Sequence, residues 1–190
     1  MPAWITSGRA ETLEDVAFLS GAALSHLHLV VGREDVPQGL LRARLALRAA
    51  ETCVMFSGRM ERAGELRDAH AFLLPGDEPG PAGEIGLQWQ RAVERPVTVK
   101  GLRRALPEQS GEQIAAWLDA GQRGAATRAA AVIEAVLADN PRAESVALIL
   151  ADSVLARALG WRYVVPLLAA GLKRADLRKR DEDLCLACHR

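Results

Sequence analysis

The 190-residue sequence has no net charge, no long apolar run and too few cysteines for a network of disulfide bonds. Its 24 Lys and Arg residues balance its 24 Asp and Glu residues, which removes any global electrostatic argument for binding nucleic acid or an anionic membrane. No window approaches the roughly 18 uncharged apolar residues of a membrane-spanning helix, and the N-terminus lacks the apolar core of a secretory signal. Three cysteines cannot form a disulfide framework, so we expect a cytoplasmic protein without membrane partners.

The sequence also lacks the short motifs that mark common catalytic and nucleotide-binding sites. Its Ser-Gly pairs, at Ser20, Ser57 and Ser110, each lack the full G-x-S-x-G frame of a nucleophile elbow. It contains neither G-x-x-x-x-G-K-[ST] nor G-x-G-x-x-G, the loops that cradle phosphates. We therefore expect a non-catalytic interaction or regulatory module, although these absences leave the question of enzymatic activity open.

Helix signals recur from one end of the sequence to the other. Thr12 with Asp15, and Ser110 with Gln113, have the spacing of N-terminal capping boxes. Apolar residues recur at helical spacing between such starts and the glycines or prolines that end each segment. The sequence therefore predicts an all-α single domain, spanning residues 1–190, with seven to nine helices in an orthogonal or irregular bundle.

Three segments depart from this regular pattern. The Pro/Gly-rich stretch 75–83 cannot continue a helix, and we expect a structural corner there. Residues 97–99 and 163–165 are strand-like, although both are too short to build a sheet. Pro166 opens a last helix, which is predicted to run to the C-terminus with a weak point near Asp181.

The most conspicuous motif is the C-x-x-C-H at Cys185, Cys188 and His189. The same pattern attaches haem in c-type cytochromes, but such attachment belongs to oxidising compartments. On a helix the three side chains share one face, where they can bind zinc if a fourth ligand is supplied. The alternative is that both cysteines are small hydrophobic residues that pack beside Leu184. We expect no cofactor, with zinc as the alternative.

Positive charge is concentrated in a few local clusters. Arg42, Arg44 and Arg48 lie on the second predicted helix, and a basic run at 173–180 is followed at once by three acidic residues at 181–183. Such alternation is typical of a solvated, ion-paired surface. Contact with nucleic acid through these clusters is the alternative interpretation.

Six blocks in a fixed order resemble a known family. They are DVAFLSGAAL at 15–24, RLALRAA at 44–50, the stretch 75–83, LADSVLARALGW at 150–161, KRADLR at 173–178 and ACHR at 187–190. Together they are similar to an uncharacterised alphaproteobacterial family, domain of unknown function 1403. The resemblance covers nearly the whole sequence, and it transfers no activity and no site residue.

The resemblance implies two further expectations. Members of the family are longer and continue past the ACHR block into a segment resembling a winged helix, so we expect a truncated member. Nucleic-acid binding in the maintenance of accessory replicons would then depend on that segment. Truncation would leave an exposed apolar face at Leu184, Cys185 and Cys188, through which a protein partner or a second copy can bind.

Overall fold

A computed structural model of the chain describes residues 12–74, 76–121 and 124–189. These residues form ten α-helices, one 3₁₀ turn and no β-strand, so the predicted all-α class is confirmed. The first five helices are α1 (Leu13–Val31), α2 (Gln38–Phe56), α3 (Ala63–Ala71), α4 (Gly80–Glu94) and α5 (Val99–Ala105). The last five are α6 (Gly111–Leu118), α7 (Ala125–Asp139), α8 (Glu144–Ala158), α9 (Leu168–Gly171) and α10 (Asp181–His189).

Both predicted capping pairs start a helix at the predicted position, and the pair at α1 forms the complete capping box. At α1 the Thr12 hydroxyl accepts a hydrogen bond from the Asp15 N–H, and the Asp15 carboxylate accepts one from the Thr12 N–H, each at 3.1 Å. At α6 the Ser110 hydroxyl accepts from the Gln113 N–H at 3.1 Å. These bonds satisfy N–H groups that the first turn of a helix leaves without partners.

Helix α8 forms the centre of the core. Eleven consecutive residues of this helix, 146–156, are buried, because α2, α4, α6, α7 and α9 surround it. Within this run only Asp152 and Ser153 are polar, which is the pattern of a helix that is enclosed rather than amphipathic. The main core cluster contains side chains from α2 through α10.

The two strand-like segments meet, although they form no sheet. The Val97 N–H donates to the Arg162 carbonyl at 2.9 Å, and Pro96 and Tyr163 form one isolated antiparallel bridge. Beyond the bridge, the Thr98 hydroxyl accepts from the Gly101 N–H at 3.0 Å and caps α5. Of the strand-like segment 97–99, therefore, only Val97 pairs with the segment around Tyr163 through its backbone N–H, and Val99 already begins the short helix α5.

The Pro/Gly-rich stretch 75–83 and the last predicted helix have different boundaries in the structure from those predicted. Helix α4 begins at Gly80, inside the predicted 75–83 corner, with Pro81 in its first turn; Pro75 lies outside the described residues. The last predicted helix is divided into α9, a 3₁₀ turn at Asp176–Arg178 and α10. The division follows from extended backbone at Leu172 and Lys179, which is incompatible with a continuous helix.

Helix α1 lies against the rest of the molecule along one stripe. Leu24, Leu27 and Val31 pack on a small second cluster formed by Ala156, Trp161 and Val165. Its opposite side exposes Leu29, which is 66% accessible. Within the described ranges, no helix has both the length and the apolar character needed to cross a membrane.

Candidate functional site

The apolar face of α10 is covered, and the sequence-based expectation that it is exposed is wrong. Leu184 is fully buried, and Cys185 and Cys188 are half-buried against the main core. The reason is that α10 folds back onto α7 and α1. A face open for a partner protein or a second copy is therefore not present at these three residues.

The three residues of the C-x-x-C-H motif make different contacts. Cys185 Sγ lies 3.5 Å from Thr127 Oγ1 on α7. His189 Nδ1 lies 2.9 Å from Ser20 Oγ on α1, and partial burial lowers the pKa of the imidazole. Burial raises the pKa of the Cys188 thiol to about 12, which keeps this sulfur protonated at neutral pH.

No group of three or more His, Cys, Asp or Glu side chains in the described part of the chain is placed to hold a metal ion. Zinc requires a nearly tetrahedral set of deprotonated ligands about 2.0–2.3 Å from the ion. Cys185 contacts Thr127, whereas His189 contacts Ser20. The expectation of no cofactor and its zinc alternative both stay predictions.

Cys188 and His189 do share a pocket, which we call the α1–α10 pocket. It has a volume of about 420 Å³ and lies between α1, α10 and the ends of α7, α8 and α9. Its walls are mostly leucine and alanine, including Leu24, Leu27 and Leu155. Its polar side chains, Ser20 and His189, are joined by their hydrogen bond, so one end of an otherwise apolar pocket is polar.

Asp152 is buried next to this pocket and is only 1% exposed. Its Oδ1 accepts hydrogen bonds from the Leu167 and Leu168 N–H groups at 3.1 Å each, and both leucines line the pocket. Its Oδ2 has no hydrogen-bond partner among the described residues. Burial raises the pKa of Asp152 to about 7 despite these two bonds.

Sequence reasoning did not identify Asp152, Ser20 or the pocket. The available signal for Asp152 was a single carboxylate inside the apolar run 146–156, because a buried charge requires a specific explanation. Ser20 gave no comparable signal, since a serine in a helix is common. Its contact with His189 joins residues 169 positions apart.

The arginines and lysines of the basic clusters differ in their exposure and in their ion pairs. Arg42 is half-buried, whereas Arg44 and Arg48 are exposed. In the run 173–180, Lys179 pairs with Asp176 at 2.6 Å and Arg174 pairs with Glu144 at 3.5 Å. These pairs agree with the expectation of a solvated, ion-paired surface for that run.

A comparison with family models matches residues 1–190 to the family described as "Protein of unknown function (DUF1403)". The chain belongs to this family. No curated protein and no solved structure matches it.

Proposed function

We propose that this DUF1403 domain is a non-catalytic regulatory module of the cytoplasm, which binds a small neutral molecule in the α1–α10 pocket. The observation that carries the proposal is the pocket itself, with its apolar walls and one polar end. Most ligand sites in proteins are concave and largely apolar, with a few polar groups that fix the orientation of the ligand.

The size and lining of the pocket define the class of ligand. A volume of about 420 Å³ lies near the lower end of the range for small-molecule sites, roughly 300–1,000 Å³. No Asp, Glu, Lys or Arg is among the described residues that line it. A charged ligand would lose its hydration without gaining an ion pair, so the ligand is uncharged and mainly apolar.

The Ser20–His189 pair supplies the polar end. The Ser20 hydroxyl and a neutral His189 imidazole share one hydrogen bond, and in either tautomer the pair keeps a donor and an acceptor for a ligand. Together they can therefore orient a ligand hydroxyl, amine or carbonyl. A serine and a histidine are also two members of a nucleophilic triad, but that chemistry requires a third group that orients the histidine. The described lining contains no carboxylate for this purpose, which favours binding over catalysis.

Helix α1 provides the link to regulation. It forms one wall of the pocket through Ser20, Leu24 and Leu27, and α10 forms another. A ligand between them adds apolar contacts to both helices, at about 25 cal/mol for each Å² of apolar surface removed from water. Binding would therefore hold α1 on the body of the domain, and a partner protein that contacts α1 would sense the occupied state.

The test is a titration with 1-aminoanthracene, an uncharged, flat fluorophore with a single amine. We expect saturable binding of one probe per chain, with increased fluorescence in the apolar pocket. Ala23→Trp fills the pocket from α1 and should weaken binding at least tenfold. Ser25→Trp places the same side chain at an exposed position of α1 that does not line the pocket, and should bind like the unmodified protein.

Two results would contradict the proposal. One is the absence of saturable binding to the unmodified protein. The other is equal affinity in Ala23→Trp and Ser25→Trp, which would place the probe elsewhere on the surface. Circular dichroism of both variants establishes that each retains the helical fold.

A further inference from the structure

A second pocket lies at the other end of α1, and we call it the Trp161 pocket. It has a volume of about 300 Å³, and its polar and aromatic lining comes from α1, α2 and the segment after α8. The residues that matter are His28, Gln38, Arg42, Trp161, Arg162 and Tyr163. Neither Asp nor Glu is among the described residues that line it.

The backbone of the segment 160–163 is fixed from two sides. Gly160 has a φ of +70°, and the Trp161 N–H donates to the Ala156 carbonyl at 2.8 Å, closing the end of α8. A side chain at position 160 would strain this left-handed conformation. The antiparallel bridge to Pro96 holds Tyr163 on the other side. The side chains of this segment therefore have a rigid base.

Two guanidinium groups lie beside the same aromatic ring. The Arg42 guanidinium carbon is 4.1 Å from the centroid of the Tyr163 ring, and that of Arg162 is 5.4 Å from it. Arg42 is held in place because its Nε donates to the Val93 carbonyl at 3.1 Å. The terminal nitrogens of Arg42 lie beyond that bond and remain available to a ligand.

Neither arginine has a carboxylate partner in the described part of the chain. The ion pairs found there involve other basic residues, such as Arg33 with Asp35 and Arg62 with Glu51. The two guanidinium carbons lie 4.1 Å and 5.4 Å from the same ring centroid, so they are at most about 9.5 Å apart. Two positive charges at such a separation without a counter-charge repel each other. An anion between them would relieve this repulsion, and planar guanidinium groups bind carboxylate and phosphate through paired hydrogen bonds.

The aromatic residues of the pocket define a second property of the ligand, which is a planar ring. Trp161 is 6% exposed, and its Nε1–H donates to His28 Nδ1 at 2.9 Å. Because Nδ1 accepts this bond, a neutral His28 ring carries its proton on Nε2 and is a hydrogen-bond donor. The Tyr163 ring and the two guanidinium planes offer flat surfaces on which another ring can stack.

We propose that the Trp161 pocket is a binding site for a small organic anion that carries a planar ring. The anionic group lies between Arg42 and Arg162, and the ring stacks against Tyr163 and its neighbours. Both an aromatic carboxylate and a nucleoside monophosphate have this chemistry. A volume of about 300 Å³ restricts the ligand to a single small molecule of this kind.

Isothermal titration calorimetry with 2-naphthoate and with adenosine 5′-monophosphate tests the site. Which of the two ligands binds shows whether the site prefers a carboxylate or a phosphate. We expect saturable binding of at least one of them that weakens with added salt. The neutral counterparts, 2-naphthamide and adenosine, should bind at least tenfold more weakly. Inorganic phosphate, which has no ring, should bind more weakly than the preferred ligand.

Variants then assign the binding to this pocket. Arg162 is exposed, so Arg162→Ala should keep the fold and weaken binding about tenfold, the loss expected for one charge-assisted contact. Arg157→Ala removes an exposed arginine of α8 that does not line the pocket and should leave the affinity within twofold. Arg42→Lys keeps the charge but not the planar fork, and should weaken binding by severalfold.

Several outcomes would overturn the assignment. They are no binding of either anion, equal binding of the neutral counterparts, and equal losses in Arg162→Ala and Arg157→Ala. Binding of a single-stranded oligonucleotide with no binding of either small anion would also overturn it, because the surface would then recognise a polymer.

Discussion

His28 on α1 and Trp161 after α8 are joined by a hydrogen bond of 2.9 Å from the indole Nε1–H to the imidazole Nδ1, across 133 residues of sequence. Their ring planes are nearly parallel, with an angle of 24° between them and centroids 6.4 Å apart. Another polar contact of α1 joins Ser20 to His189 on α10. Each of these two contacts involves a histidine that lines one of the two pockets. A shift of α1 would therefore change the shape of both pockets.

We expect Trp161→Phe to loosen α1 without unfolding the domain. The change removes the donor to His28 but keeps an apolar ring, so it should cost about 1 kcal/mol, the typical net value of one hydrogen bond. In hydrogen–deuterium exchange, amides of α1 should exchange faster, whereas those of the enclosed α8 should be unchanged.

Trp117→Phe is the matched control. The Trp117 Nε1–H donates to Asp139 Oδ2 at 2.8 Å, so this change also deletes one indole donor, but at a site between α6 and α7. Exchange in α1 should not respond to it. Equal acceleration of α1 exchange in both variants would show that the His28 contact has no specific effect on α1.

Asp152 makes the stability of the domain depend on pH. Its pKa is raised from 3.8 to about 7 in the folded state, so the folded protein keeps a proton that the unfolded chain releases. The contribution of Asp152 to the free energy of unfolding is therefore fully present below about pH 3.8. It is lost as the pH rises through about 7. A difference of about three pKa units corresponds to roughly 4 kcal/mol at most.

Asp152→Asn should abolish this loss. An asparagine Oδ1 can still accept from the Leu167 and Leu168 N–H groups, and the amide cannot ionise. Urea unfolding at pH 5.5 and pH 8.5 should show that the variant gains stability relative to the unmodified protein as the pH rises. The lowered pKa of His189 acts in the opposite direction, since its contribution is lost as the pH falls, but it cancels in this comparison.

The exposed Asp119→Asn controls for the removal of one negative charge. Its stability relative to the unmodified protein should change little between the two pH values, by less than about 0.5 kcal/mol, as is usual for surface sites. If Asp152→Asn behaves in the same way as Asp119→Asn, the Asp152 carboxyl is ionised in the folded state at both pH values.

The sequence predicts well those features that depend on neighbouring residues. The capping pairs Thr12–Asp15 and Ser110–Gln113 are three residues apart, so their hydrogen bonds follow from local spacing. The burial of α8 is explained by its apolar run 146–156. The break at Leu172 was not predicted, because the bonds that support the following turn include one from the Lys173 N–H to the Asp176 carboxylate, which competes with helix formation.

The two pockets could not be predicted in the same way. Their contacts join Ser20 to His189 and Arg42 to Tyr163, and no local periodicity specifies which distant side chains meet. The C-x-x-C-H motif did indicate one wall of the α1–α10 pocket through Cys188 and His189. The ligands that the motif suggested, zinc and haem, were less informative than the position of the motif in the sequence. A short motif fixes the spacing of side chains along one helix, but it does not specify the residues that face them.

Zinc binding at the C-x-x-C-H motif provides a final prediction. We expect elemental analysis of the purified, untagged protein to show substoichiometric zinc. Cys185 lies against Thr127 and His189 against Ser20, and the raised pKa of Cys188, about 12, opposes formation of the thiolate that zinc requires. Any residual zinc should be the same in Cys185→Ser and Cys188→Ser. Stoichiometric zinc that disappears in both variants would instead show that α10 rearranges around a metal, and would favour the zinc interpretation of the motif over its role as a pocket wall.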